Sequence, residues 1–300
     1  MIVTLPQEIS TSAGTLVSTN VADETLPNWS AGTYSQLDEV IWDNRIWMVV
    51  ASSTADRPDI GVNKIPASWQ VQGYVNSLRM FTGTRDSKSL VTGGGIDVEI
   101  KSEQDFYNIL GLLGLVGNSI KVEVKDSTGS IVQTKEEELV DIGSADWAEF
   151  FFKPYDQVES VVFNDIRYEV GGSIRIQILG ESGTPDTACG RVVVGNAQEV
   201  GITNHDTSVG LLSFSKFERN GFGDLTVQEG RTVNVVDFDV TVNTNYVDTA
   251  LRILRAAGGK IAFYVGDVNK ESTAILGLAD EPRINYEPTL SSLSVEVQGQ

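Results

Sequence analysis

His205 is the only histidine in 300 residues, and it lies in a polar stretch, Thr203-Asn204-His205-Asp206. A multi-histidine metal site cannot be built within one chain on a single imidazole, and His205 reads as a loop residue rather than a catalytic base. Cys189, beside Gly190 at the start of an apolar run, has no motif partner and reads as a buried structural thiol. Carboxylates remain, 41 of them, so their abundance alone carries no information. Asp237 and Asp239 alternate with Val236, Phe238 and Val240, which places both on one face of a strand. A glycosidase could use that spacing, and a solvated sheet face would look the same. A calcium site at Asp59 or at the Asp237/Asp239 pair stays open, although no loop has the helix-flanked calcium pattern. Gly93-Gly94-Gly95 and Gly171-Gly172 lack the Lys-Ser/Thr of a phosphate loop and read as a linker and a hairpin turn.

The informative cluster is aromatic. Trp29, Tyr34, Trp42, Trp47 and Trp69 bring four of the five tryptophans into a short stretch. Indoles at that density need a reason. They form the core of a small domain without disulfides, or clamp a neighbouring subunit, or stack on sugar rings. Trp69, which follows Pro66 in an apparent loop, is the one expected to be accessible. The binding candidates are therefore Trp29, Tyr34, Trp47 and Trp69, with docking or glycan contact as their role and no catalytic, cofactor or metal residue beside them.

The elements that must carry these residues are mostly strands. Glu39 to Ala51 is a hairpin signal, with Asp43-Asn44 as the turn between two apolar runs. Ile96–Ile100, Ser119–Lys125 and Ser173–Leu179 alternate with period two, as half-buried strands do. Val161–Phe163 pairs with a further strand at Ile166–Val170, and one short helix fits between Glu103 and Leu115. Phe214 to Gly223 reads as aromatic turns, followed by a long alternating segment, Arg231 to Val242. Tyr246–Ala257 is the best helix: Val247, Ala250, Leu251, Leu254 and Ala257 share a face, and Gly258-Gly259 ends it. Polar, glycine-bearing boundaries at Asp86–Gly95 and Glu181–Asp186 divide the chain. The fold class is mainly β: an N-terminal extension (1–28), a small aromatic-rich β domain (29–85), a central antiparallel β-sandwich (92–180) and a C-terminal β-rich α+β domain (187–300) with one helix near 246–257.

The net charge of −19 repels phosphate backbones, so nucleic acid is not an expected partner. The N-terminus has neither a basic start nor a continuous apolar run, so no signal peptide is read, and no apolar run is long enough for a membrane span.

Trp29, Gly32-Thr33-Tyr34, Asp38, Val40, Trp42, Ile46-Trp47, Pro58, Pro66 and Trp69 together resemble the small chitin- and cellulose-binding module. Asn76-Ser77-Leu78-Arg79-Met80-Phe81-Thr82-Gly83 resembles a segment of tailed-bacteriophage tail proteins, where it joins such a module to a β-rich body. Asp146-Trp147 with Phe150-Phe151-Phe152, Cys189–Gly195, and Phe214-Ser215-Lys216 with Phe222-Gly223 are similar to strings in the same proteins. The resemblance implies a non-enzymatic structural subunit of the virion tail, at the tail tip, baseplate or neck, made in the host cytoplasm. It implies no cofactor, and as partners other copies of the chain, other phage tail proteins and a host cell-surface glycan.

Overall fold

The computed structural model describes residues 1–11, 14–82, 87–101, 107–141, 156–167, 169–180, 186–219 and 221–300. It is mainly β, with several antiparallel sheets and few helices. Among the described residues no helix is long and apolar enough to cross a membrane.

The middle of the chain builds a sandwich. One layer is a five-stranded antiparallel sheet in the order Ile131–Glu138, Ser119–Lys125, Ser173–Leu179, Ile96–Lys101, Leu16–Thr19. The period-two alternation does what it must: Ile96, Val98, Ile100, Ile120, Val122, Val124, Ile174, Ile176 and Ile178 all point into one core. The other layer is Ser160–Phe163, Ile109–Leu113 and Arg191–Gly195, also antiparallel. All five residues of Ile109–Leu113 are buried because the strand is covered on both faces. Leu110 and Leu112 face the sandwich core, while Ile109 and Leu113 pack with Phe263 and Val265 of a second sheet.

That strand replaces the helix expected between Glu103 and Leu115; residues 102–106 lie outside the described set. Gly111, which weakens a helix, suits the strand for a packing reason. A Cβ there would sit 2.6 Å from the Phe263 ring, so glycine lets the two layers close. Ile166 is buried but not in a strand, so the pair expected from Val161 to Val170 has one member, Ser160–Phe163.

The second sheet has eight strands. Its main order is Gln198–Glu199, Ile2–Thr4, Ala262–Val265, Ala274–Asn285, Leu290–Gly299, Thr232–Asn243, Ile202–Thr203, and Ser208–Ser213 also pairs with Thr232–Asn243. The helix Val247–Ala257 lays Val247, Ala250, Leu254 and Ala257 on its core. The turn after it uses Gly259 at φ 72°, a conformation glycine adopts without steric cost.

The expected boundaries are corrected at two places. Residues 1–28 are not an extension: Ile2–Thr4 is an inner strand of the second sheet, Leu16–Thr19 edges the five-stranded sheet, and Ile9 and Val21 lie in the sandwich core. Asp186–Cys189 and Arg191–Gly195 belong to the middle body rather than to a domain beginning at 187, because Cys189, Val192 and Val194 fill the sandwich core. Strand identity was readable from local apolar character, but the core a strand joins is set by partners far away in sequence. The linker read at Glu181–Asp186 and the Asp146 to Phe152 strings lie outside the described residues, apart from Asp186.

Candidate functional site

The aromatic residues gather around one hairpin. Glu39–Trp42 and Arg45–Val49 pair with Val40 opposite Trp47, Ile41 opposite Ile46 and Trp42 opposite Arg45. Asp43 and Asn44 form the two-residue turn at φ 50° and 60°, as the strand twist demands. This register answers a question that spacing alone could not: Val40, Trp42, Trp47 and Val49 share a face. Ile41 and Ile46 take the other face and join the sandwich core, so the aromatic unit is bolted to the middle body. The third strand, Trp69–Tyr74, sets Trp69 opposite Val49.

Trp69 is fully buried, not accessible. It begins a strand, and its indole N–H donates to the Asp56 carbonyl at 3.0 Å while Tyr34 meets it edge-on at 5.4 Å. Gly61 packs against it so tightly that a Cβ there would lie 2.4 Å from Trp69 Cδ1. The expectation failed because the loop that carries Pro66 runs only to Ser68, and Trp69 is the first residue of the strand that follows. Trp47 is buried as well, its N–H donating to the Trp42 carbonyl at 3.0 Å. These two candidates, with Val40 and Val49, are the core of the unit. Tyr34 is half-buried, and its hydroxyl is tied to the Ser30 backbone, donating to the carbonyl and accepting from the amide.

What reaches solvent is a pair. Trp29 and Trp42, both half-buried, meet edge to face at 5.2 Å. The Arg57 guanidinium lies 5.5 Å above the Trp42 ring and grips Asp59 through two hydrogen bonds of 2.6 and 2.7 Å. That grip holds the Asp59 carboxyl below the usual carboxylate range. Trp42 and Arg57 were not among the expected binding residues; register, not composition, brings them to the surface. A flat indole edged by a fixed guanidinium can stack on an apolar sugar face or a partner side chain.

The chemical candidates stay apart. His205 is exposed in a turn. Asp237 and Asp239 do share a strand face, opposite buried Val236, Phe238 and Val240, and are occupied singly: Ser208 Oγ donates to Asp237 at 3.1 Å and Asn204 to Asp239 at 3.3 Å. Cys189 is wholly buried, and burial pushes its thiol up to about 12, so no thiolate forms at neutral pH. Among the described residues no cluster of three or more His, Cys, Asp or Glu could hold a metal ion.

A second surface was missed. Ser208–Ser213 pairs with the first half of Thr232–Asn243, and beyond it Lys216–Arg219 pairs with Leu225–Gln228. The result is a long two-stranded ribbon. Every residue of Ser208–Ser213, Lys216–Arg219 and Leu225–Gln228 is exposed. In the outer part Phe217 opposes Val227 and Arg219 opposes Leu225, while Lys216, Glu218, Thr226 and Gln228 occupy the other face. Phe217, Leu225 and Val227 therefore share one face with Arg219, and among the described residues they remain about half or more exposed. The sequence signal was present: two short alternating runs flank Asn220-Gly221, a strong hairpin dipeptide. Reading the phenylalanines as turn aromatics hid it.

A scan against protein-family models finds none that matches this chain, and a search of the curated proteins finds no match.

Proposed function

We propose that the protein is a non-enzymatic structural subunit of a bacteriophage tail, at the tail tip, baseplate or neck, that acts in multiple copies and serves as a dock for a receptor-binding protein. The observation that carries the assembly half of this reading is the ribbon. An isolated two-stranded ribbon is marginal in water, and an amphipathic one exposes apolar area that a partner surface would cover. The tail half rests on the resemblance of residues 76–83, 189–195 and 214–216 to strings in tail proteins. The acidic net charge disfavours nucleic acid as a partner. The test is electron microscopy of purified particles with the subunit labelled. A fixed copy number around the tail axis is the expected result. A native protein found only as a free monomer, absent from any particle, would overturn the reading.

A second reading, contact with a host-surface glycan, is favoured by one observation: the Trp29–Trp42 pair reaches solvent with Arg57 held beside it. Titration with chitin oligomers, followed by indole fluorescence in wild type and Trp42→Ala, tests it. Binding that Trp42→Ala abolishes supports glycan contact, and no binding by wild type ends it.

A further inference from the structure

We infer that the basic outer face of the helix Val247–Ala257, carrying Arg252 and Arg255 with Lys260 just beyond, docks on the acidic outer face of the eight-stranded sheet in a second copy of this chain. The inference rests on the assembly reading above and names the two surfaces that meet.

Register builds the acidic side. Asp237 lies opposite Glu296, and Glu296 lies opposite Asp280, so three carboxylates stand side by side across three adjacent strands. All three are exposed, and like charges directly opposite one another destabilise a sheet. With Glu281 they line a hollow of about 420 Å³. Among the described residues its one cation is Arg283, which bonds Glu281 at 2.8 Å. Asp237 accepts from Ser208 and Glu296 from Gln298, both neutral donors. Among the described residues no salt bridge reaches Asp237, Asp280 or Glu296.

The basic side is the helix. Arg252 and Arg255, three residues apart, share its exposed face, and Lys260 follows its last turn. Elsewhere Arg57, Lys64, Arg79, Lys125, Lys135 and Arg175 each hold a carboxylate. Arg252 instead donates to Thr249 Oγ1 at 3.0 Å, and among the described residues no salt bridge reaches Arg252, Arg255 or Lys260. Asp248 is the only acid from 247 to 260, so this segment is positive in a chain of net charge −19.

One copy cannot bring the two surfaces together. The helix packs Val247, Ala250 and Leu254 on the sheet face that presents Val236, Phe238, Val295 and Val297. Asp237 and Glu296 alternate with those residues and leave from the opposite face. Cations that lack a carboxylate on one side and carboxylates that lack a cation on the other complement each other only between copies. The contact is heterologous, so it repeats head to tail into a ring or a filament.

Sedimentation velocity of the full chain, from low to high micromolar concentration, tests this with two charge reversals. Arg252→Glu/Arg255→Glu reverses the helix, and Asp280→Lys/Glu296→Lys reverses the sheet. All four positions are exposed, so melting temperatures near wild type are expected. Should a reversal unfold, the neutral variants Arg252→Gln/Arg255→Gln and Asp280→Asn/Glu296→Gln take over the measurement of loss. Wild type should associate, and raising salt from about 50 to about 300 mM should weaken that association roughly tenfold or more. Each reversal alone should weaken it at least roughly tenfold, and an equal mixture of the two should restore it, because each reversed helix then meets a reversed sheet. Association that survives both reversals would overturn the two surfaces and leave the assembly reading standing. Loss in each reversal without recovery in the mixture would overturn their pairing with one another. A wild type that stays monomeric at every concentration would overturn the choice of a second copy, and retention on heparin that the helix reversal loses would then assign the cations to an anionic ligand. Incorporation into particles is decided separately by microscopy.

Discussion

Trp69→Ala separates a core indole from a docking indole. The ring is fully buried between Val40, Val49 and Tyr34, and truncation leaves a cavity that Gly61 and Ser68, close on one side, cannot collapse into without moving backbone. Large aromatic truncations in cores cost about 3–5 kcal/mol. The lost Nε1–H to Asp56 hydrogen bond adds about 1 kcal/mol, the usual net worth of a neutral hydrogen bond. The sum, roughly 4 kcal/mol, is a large share of a domain's stability. Trp42→Ala removes a half-buried ring and should cost nearer 1 kcal/mol. Urea titrations followed by far- and near-ultraviolet circular dichroism measure both, with Trp69→Phe keeping most of the ring while removing the N–H. The ordering Trp69→Ala, then Trp69→Phe, then Trp42→Ala is required. A Trp69→Ala protein that unfolds at the wild-type urea concentration would refute the core assignment, and with it the whole account of the aromatic unit.

Gly61→Ala should destabilise by about 1–3 kcal/mol, since its Cβ would fall 2.4 Å from both Ser68 Oγ and Trp69 Cδ1; thermal melts check this. Cys189 should resist a thiol reagent in the native protein and react only on unfolding, so labelling should track the unfolding rate. Acid should weaken the five-stranded sheet through the ion pairs on its outer face. Two hydrogen bonds from Arg175, at 2.8 and 2.5 Å, hold Asp97 below its ordinary value. For Glu99, burial pushes the carboxyl up but hydrogen bonds from Lys125 and Ser173 outweigh it, so the net shift is down. Because folded values lie below unfolded ones, this stabilisation is complete at neutral pH and is lost as pH falls below about 4. Asp97→Asn should therefore be less stable than wild type at pH 7 and converge with it in strong acid; equal deficits at both pH values would contradict the pairing.

The aromatic hairpin, the alternating strands and the terminal helix were legible because each rests on local chemistry. Asp43-Asn44 accepts positive φ, Ile96–Ile100 repeats every second residue, and Val247 to Ala257 repeats at helical spacing before two glycines. Ile109–Leu113 was harder, since an unbroken apolar run has no period; only the arrival of Phe263 over Gly111 explains why it is a strand. The ribbon carried its own signal around Asn220-Gly221, but nothing local says that Phe217, Leu225 and Val227 stay exposed.

The sequence by itself determined a mainly β chain, strongly acidic, with one histidine, one buried-type cysteine and its tryptophans concentrated near one end. Those properties follow from residue type and from spacings of a few positions. Tertiary structure alone decided that Trp47 and Trp69 are core while Trp29 and Trp42 reach solvent, that Ile2–Thr4 lies in the same sheet as Leu290–Gly299, and that every residue of Lys216–Arg219 and Leu225–Gln228 is exposed. Burial belongs to pairs of distant segments: a side chain is inside only when another part of the chain covers it, and no local pattern specifies which part that is.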